Sequence, residues 1–214
     1  MVSVFKNPEI LTLAKELIAA VEFCSLQGWT PATSSNFSVR SPAMDGFIIT
    51  QSGVNKNKLS IEDLMWVDSH GKTVEPRGAK PSAETGIHQE LYNDPEVHCV
   101  LHTHSPLATA LSLRFSKEGF IEFSGYEVLK ALPHTSTHET TSRLPIVSNS
   151  QSMEEIWGQW LEGRKYASES TVGFLIAGHG LYTWGKDIKS ALRHIEAYEF
   201  LMSCYFHELQ LSNL

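Results

Sequence analysis

The sequence predicts an α/β fold, a single domain whose sheet is covered by helices on both faces. Alternating or short apolar runs typical of strands are interspersed along the chain with segments whose apolar residues recur at helical spacing. Such intermingling is typical of a layered α/β domain. The 214 residues contain no internal repeat, low-complexity tract or long linker, so we expect one domain over residues 1–214.

The chain is predicted to begin with a long helix followed by a hairpin. Residues 7–9 read Asn-Pro-Glu, which is an N-cap, a proline at the first helical position and an acid in the first turn. Gly28 is typical of the end of that helix. Strands are expected over residues 36–40 and 47–50, and the turn-rich segment between them predicts that they pair as a hairpin.

The remaining elements follow the same two periodicities. We expect Ser60 to open a short helix, and Ser82 to be the N-cap of a helix that carries Ile87 and His88. The other expected strands are residues 65–68, 99–105, 120–123, 144–147, 171–177 and 181–184. The other expected helices are residues 106–113, 126–132 and 153–161, and a final helix that begins near Asp187.

Two histidines follow the apolar run of residues 99–101. If this run is a strand, its side chains alternate between faces, so His102 and His104 project to the same side. Their Cα atoms are then roughly 6.5–7 Å apart, a span that two imidazoles can close around one metal ion. Pro106 ends the strand and places both rings at its exit. By itself this pattern is more often a pair of surface histidines than a metal site.

A third histidine strengthens the metal interpretation. His179 lies between Gly178 and Gly180, after the apolar residues 174–177. Flanking glycines let the backbone approach a ligand, and loops at strand ends commonly carry functional groups. Three neutral imidazoles with an open fourth position are the geometry of a catalytic zinc site.

Two acidic residues are candidates for catalysis, although each also has an ordinary structural interpretation. Glu84 lies in the first turn of the helix expected after Ser82, where the helix dipole favours an acid. Glu127 lies in a short predicted helix and can be a solvated surface residue. His88, on the same helix as Glu84, is expected to be packed or exposed rather than a metal ligand.

Small polar residues at element boundaries suggest a phosphate site. Backbone amides, hydroxyls and one lysine supply the donors and the positive charge that a phosphate needs. Ordinary turn chemistry remains the alternative, because serine, asparagine and glycine are common in turns. No Walker or GxGxxG motif supports a nucleotide fold. The candidate residues are Asn36, Ser38, Ser52, Gly53, Lys56 and Ser82.

Composition excludes several classes of protein. A net charge of −7 without a basic stripe disfavours a nucleic-acid-binding protein. The three cysteines are far apart and fit neither a disulfide framework nor a CxxC metal site, as expected in a reducing cytoplasm. The first residues lack the apolar segment of a secretory signal, and no apolar stretch approaches membrane length. We therefore expect a soluble cytoplasmic protein.

Taken together, these segments resemble the class II aldolase/adducin family, a zinc-dependent group that acts on sugar phosphates. The resemblance extends over nearly the whole chain and rests on residues 35–38, 50–53, 81–84, 102–105 and 178–180. It implies a three-layer α/β/α domain with a mostly antiparallel central sheet. It also implies homo-oligomers, commonly tetramers, with active sites at subunit interfaces. The charge and the apolar pattern described above predict no nucleic-acid or membrane partner.

The resemblance also implies roles for the candidate residues. One zinc ion per subunit would be bound by His102, His104 and His179. Glu84 matches a catalytic carboxylate near the metal in the sugar-phosphate aldolases, and Glu127 matches the acid/base glutamate of the dehydratases. The phosphate would be bound by Asn36, Ser52, Gly53, Lys56 and Ser82. Ala83 is a departure, since aldolases usually carry a second serine before the glutamate.

Within the family the chain is most similar to members that dehydrate a 2-ketose 1-phosphate. This similarity rests on residues 52–56, 124–130 and 179–185. The alternatives on the same metal site are an aldolase of the fuculose-phosphate type and a ribulose-phosphate 4-epimerase. A non-catalytic adducin-like domain is a further alternative, but it could dispense with the three histidines that are present here.

Overall fold

A computed structural model describes residues 3–42, 44–76, 79 and 81–212. The chain divides into two compact units. The first comprises the described residues up to Thr103 together with Trp184–Ala191, and the second comprises His104–Thr183 and the described residues from Leu192 onward. The expectation of one domain over residues 1–214 stays a prediction, and its two ends lie outside the described residues.

The first unit is built on antiparallel strands in the order β4-β3-β2-β1-β5. Every residue of β2, β3 and β5 is buried, as expected for a sheet covered on both faces. Its helices are α1 (Pro8–Leu26) and α2 (Thr85–Leu91), and its strands are β1 (Asn36–Arg40), β2 (Phe47–Thr50), β3 (Leu64–Val67), β4 (Thr73–Glu75) and β5 (Cys99–Thr103).

The second unit contains the rest of the sheet, in the order β9-β8-β7-β6. β7 and β8 run parallel, whereas β6–β7 and β8–β9 are antiparallel. The last residues of β9 and the first turn of α5 are grouped with the first unit. The elements are α3 (Pro106–Arg114), β6 (Phe120–Phe123), β7 (Ser142–Val147), α4 (Met153–Gly163), β8 (Gly173–Ile176), β9 (Gly180–Gly185) and α5 (Ile188–Leu211).

The fold class expected from the sequence is confirmed: α/β, with a nine-stranded, mostly antiparallel sheet and helices packed on it. Local sequence explains much of this. The Asn7 side chain accepts a hydrogen bond from the Glu9 amide at 2.9 Å, so the predicted N-cap of α1 is present. Gly28 follows that helix with φ of +78°, the left-handed conformation that glycine adopts most readily.

Two expected boundaries near the site are wrong. α2 begins at Thr85 rather than directly after Ser82, and Glu84 occupies its N-cap position without a capping side-chain bond. Glu84 therefore precedes the first helical turn, and its carboxylate is hydrogen-bonded to Asn36 on β1. Strand β5 ends at Thr103 and His104 follows it, because the chain turns into α3 immediately afterwards.

Candidate metal centre and active site

In the first unit, the end of strand β5 places a histidine beside an acid. His102 is fully buried and lies directly opposite Asn36 in the antiparallel pairing of β1 with β5. Its Nε2 atom is 3.7 Å from Oε1 of Glu84, whose side chain is 18% exposed. The packing of α2 near β1 thus brings a carboxylate to the histidine predicted as a metal ligand.

A chain of buried polar groups continues from Glu84 into the first unit. The Asn36 amide donates to Oε2 of Glu84, and its carbonyl oxygen contacts Nε2 of His88. Nδ1 of His88 lies 2.7 Å from Oγ of Ser38, which in turn lies 2.6 Å from the Tyr92 hydroxyl. Complete burial lowers the pKa of His88 to about 3, against the opposing effect of Glu84, so the ring is neutral.

In the second unit, two further histidines lie together. The rings of His104 and His179 have centroids 4.6 Å apart and planes inclined by 66°. His179 lies in the turn between β8 and β9, where Gly178 has φ of +67°. The hydroxyl of Thr109 on α3 donates to the His179 carbonyl at 3.0 Å, which fixes the turn against that helix.

Four side chains offer metal-ligating atoms that all lie within 4.8 Å of one another: Glu84, His102, His104 and His179. Three imidazoles and one carboxylate are a donor set that zinc accepts, and iron, cobalt and manganese accept it too. The residues present therefore fit a divalent metal ion. The three predicted histidines are brought together, and Glu84 joins them as a fourth potential ligand.

The predicted phosphate residues occupy different environments within the first unit. Ser52 and Gly53 form an exposed turn, and a Cβ atom at Gly53 would meet nothing within 4 Å, so the backbone there is accessible. Ser82 is half-buried, and its hydroxyl accepts from the Glu84 amide at 3.3 Å. Asn36 has its amide hydrogen-bonded to Glu84 and His88.

Lys56 is buried rather than exposed in this loop region. It is 1% exposed, and its ammonium group donates to the carbonyl oxygens of Thr33 at 3.2 Å and Val54 at 3.1 Å. Burial lowers the pKa of Lys56 to about 8, and the negative charges of Asp63 and Glu84 oppose this shift. Its ammonium group therefore stabilises the surrounding loop through hydrogen bonds to the two carbonyl oxygens.

Glu127 differs from the four potential ligands in being exposed. It begins the short 3-10 helix Glu127–Ala131, and its side chain is 71% exposed. Hydrogen bonding to Lys130 is the main cause that lowers the pKa of Glu127, and His138, 3.4 Å away, adds to it. The carboxylate is consequently ionised at neutral pH and can accept a proton.

A buried acid near His104 was missed by the sequence reasoning. Glu199 on α5 is 6% exposed, and burial raises its pKa to about 7 against the effect of a hydrogen bond from Ser105. Ser105 directly follows His104 and caps α3 by accepting from the Ala108 amide at 3.0 Å. The signal was present, since Glu199 lies at helical spacing between the buried residues Ile195 and Met202.

Comparison with known proteins identifies a family and related sequences. The sequence model of the family described as class II aldolase and adducin N-terminal domain matches residues 15–206. The methylthioribulose-1-phosphate dehydratase of Sorangium cellulosum (strain So ce56) is 46% identical over 203 residues, covering 94% of each chain. That of Pseudomonas fluorescens (strain Pf0-1) is 46% identical over 196 residues, covering 90% of this chain and 91% of the relative.

Solved structures show the same fold. An L-fuculose 1-phosphate aldolase matches with a TM-score of 0.76 and 18% identity, covering 94% of this chain and 87% of the other. The L-fuculose-1-phosphate aldolase of Thermus thermophilus matches with a TM-score of 0.73 and 25% identity, covering 95% and 98%. Among the helices of the described residues, none combines the length and apolar character of a membrane span.

The buried Glu199 predicts a specific pH dependence of stability. Its folded pKa of about 7 exceeds the unperturbed value of 4.5, so the native state retains a proton that the unfolded chain loses between these values. The free energy of unfolding should therefore fall as the pH rises from 4.5 to 7, by up to about 3 kcal/mol from this group. The Glu199→Gln variant should lack this component.

Urea unfolding of the metal-free proteins between pH 4.5 and 8 measures this difference. Glu196→Gln, on the exposed side of the same helix, is the control and should keep the pH dependence of the natural chain. Identical pH profiles for Glu199→Gln and the natural chain would show that Glu199 is not held protonated.

Proposed function

Since the chain belongs to the class II aldolase and adducin family, we propose that it is a metal-dependent lyase that dehydrates methylthioribulose 1-phosphate. The product would be 5-methylthio-2,3-dioxopentyl phosphate, formed with loss of water in methionine salvage. The observation that carries this proposal is the 46% identity, over 94% of this chain, to a methylthioribulose-1-phosphate dehydratase. The cluster of potential metal ligands supports it.

We assign the metal to His102, His104 and His179, with one zinc ion per subunit, and place Glu84 beside it. When bound there, the cation would supply Lewis-acid chemistry, which would polarise the C2 carbonyl of the ketose and acidify the C3 proton. The Glu84 carboxylate, held by Asn36, adds a negative charge next to the three imidazoles.

Glu127 is the proposed general acid/base. As an ionised carboxylate it accepts the C3 proton and then delivers a proton to the departing C4 hydroxyl, which leaves as water. The resulting C3–C4 enol tautomerises to the 2,3-diketone. The exposed carboxylate of Glu127 suits this role in a homo-oligomer, expected to be a tetramer, in which a neighbouring copy covers it. We place the reaction in the cytoplasm.

The substrate phosphate is assigned to five residues: Asn36, Ser52, Gly53, Lys56 and Ser82. The exposed turn at Ser52 and Gly53 presents backbone amides and a hydroxyl. The ammonium group of Lys56 donates its hydrogen bonds to two loop carbonyls. Lys56 would therefore contribute to phosphate binding through its positive charge rather than through a direct hydrogen bond.

An aldolase is the second candidate. The fold matches L-fuculose 1-phosphate aldolases. By the resemblance of the sequence, Glu84 would correspond to the catalytic carboxylate that aldolases keep near the metal, and its Oε1 lies 3.7 Å from Nε2 of His102. Ala83 disfavours it, since a second serine is usual there in aldolases. A ribulose-phosphate 4-epimerase would use the same metal chemistry without releasing water or a carbon fragment.

A substrate panel separates these activities. The purified zinc-loaded protein should convert methylthioribulose 1-phosphate to a diketone, followed by its absorbance and by mass spectrometry, and a chelator should abolish turnover. Fuculose 1-phosphate should yield no dihydroxyacetone phosphate, and ribulose 5-phosphate should remain unchanged. Release of dihydroxyacetone phosphate without any diketone would assign the chain to the aldolases instead.

Glutamine substitutions distinguish the two acids. Glu127→Gln should retain zinc and lose about 10²–10⁴-fold in kcat, because the proton acceptor is removed. Glu84→Gln should weaken zinc binding by about 10–100-fold, since a carboxylate beside the ligand atoms is neutralised. Kinetics and metal analysis measure both, and the exposed Glu139→Gln is the control that should change neither. Normal turnover by Glu127→Gln would exclude its proposed role.

A further inference from the structure

We propose that His88 is a positioning residue that fixes the Glu84 carboxylate at the metal ligands through Asn36. The ring is the centre of a buried hydrogen-bond relay composed of Tyr92, Ser38, His88, Asn36 and Glu84. The inference rests on the proposed function, because it assumes that the orientation of Glu84 matters at that site.

Two regular elements hold the relay in register. Asn36 and Ser38 are two residues apart on strand β1, so their side chains project from the same face. Glu84, His88 and Tyr92 are spaced four residues apart along α2 and its two end positions, so they lie along one side of that helix. The polar face of the strand therefore meets the polar side of the helix at consecutive positions.

Hydrogen bonding allows only one proton arrangement when Glu84 is ionised. A carboxylate only accepts, so the NH₂ group of Asn36 faces Glu84 and its carbonyl oxygen faces His88. That oxygen needs a donor, so Nε2 of His88 carries the ring proton. Nδ1 of the neutral ring then accepts from the Ser38 hydroxyl, which in turn accepts from the Tyr92 hydroxyl.

The direction of these hydrogen bonds fixes the orientation of the Asn36 amide and, through it, the position of the Glu84 carboxylate. The side-chain amide of Asn36 cannot flip, because a flip would place its carbonyl oxygen against the Glu84 carboxylate and its NH₂ group against the proton on Nε2 of His88. Oε2 of Glu84 is therefore held by Asn36, while Oε1 faces Nε2 of His102 at 3.7 Å. Ser38 and His88 are both fully buried, so water does not readily replace a lost partner.

Two substitutions of His88 separate positioning from packing. Glutamine can place its amide nitrogen where Nε2 lies and still donate to Asn36. Asparagine is shorter, reaches only the Nδ1 position towards Ser38, and leaves the Asn36 carbonyl without its donor. We expect His88→Gln to keep kcat and zinc affinity within about threefold of the natural chain. His88→Asn should lose about tenfold or more in both.

Controls distinguish this result from a general loss of stability. Ile87→Val removes a buried methyl group from the same helix and should lower the thermal midpoint while leaving kcat and zinc affinity unchanged. Equal kcat and zinc affinity in His88→Asn and His88→Gln would overturn the proposal. A loss in Ile87→Val as large as that in His88→Asn would also overturn it.

Two readouts do not depend on dehydratase activity. Zinc affinity is measured by competition with a chromophoric chelator. The ¹⁵N resonances of the His88 ring in the natural chain should show the proton on Nε2, and a proton on Nδ1 would contradict the relay even if His88→Asn fails to fold. If the natural chain does not turn over methylthioribulose 1-phosphate, the proposed function fails while these two measurements still decide the role of His88.

Discussion

The antiparallel pairing of β1 with β5 is the constraint on which the arrangement of the first unit depends. Its register sets Asn36 directly opposite His102. Because side chains of directly opposed residues project to the same face, the amide that holds Glu84 lies beside the histidine that Glu84 approaches. A slip of one residue would turn Asn36 to the other face and separate these groups.

Burial or exposure determines the charge and the hydrogen bonding of the polar groups discussed above. His88 is neutral because its environment excludes water, so it acts as a directional hydrogen-bond partner rather than as a charge. Lys56 keeps a buried ammonium group by bonding two loop carbonyls. Glu127 is the opposite case, since its exposed carboxylate is stabilised in the ionised form by Lys130. Environment therefore separates residues that shape the site from one that is suited to exchange protons with a substrate.

The sequence predicted those features whose causes are local. The N-cap at Asn7, the hairpin of β1 and β2, and the two histidines at the end of β5 each follow from neighbouring residues. The start of α2 was predicted too early, and the contact of the Glu84 side chain with Asn36 on a distant strand was not predicted. No local pattern reveals such a contact.

The role of His88 could not be predicted for the same reason. Its partners Asn36 and Ser38 are about fifty residues away along the chain and are brought close only by the packing of α2 near β1. The grouping of the three histidines was suggested by the spacing of His102 and His104 and by the glycines around His179, and the resemblance to a family supported it. The membership of Glu84 among the potential ligands is a result of the structure.

The most direct test of the account is the position of the metal in crystals of the zinc-loaded protein. Anomalous diffraction measured on both sides of the zinc absorption edge should give one peak per chain, in contact with His102, His104 and His179 and next to Glu84. A peak at other residues, or none in protein that retains zinc by chemical analysis, would contradict the assigned metal centre and the mechanism built on it.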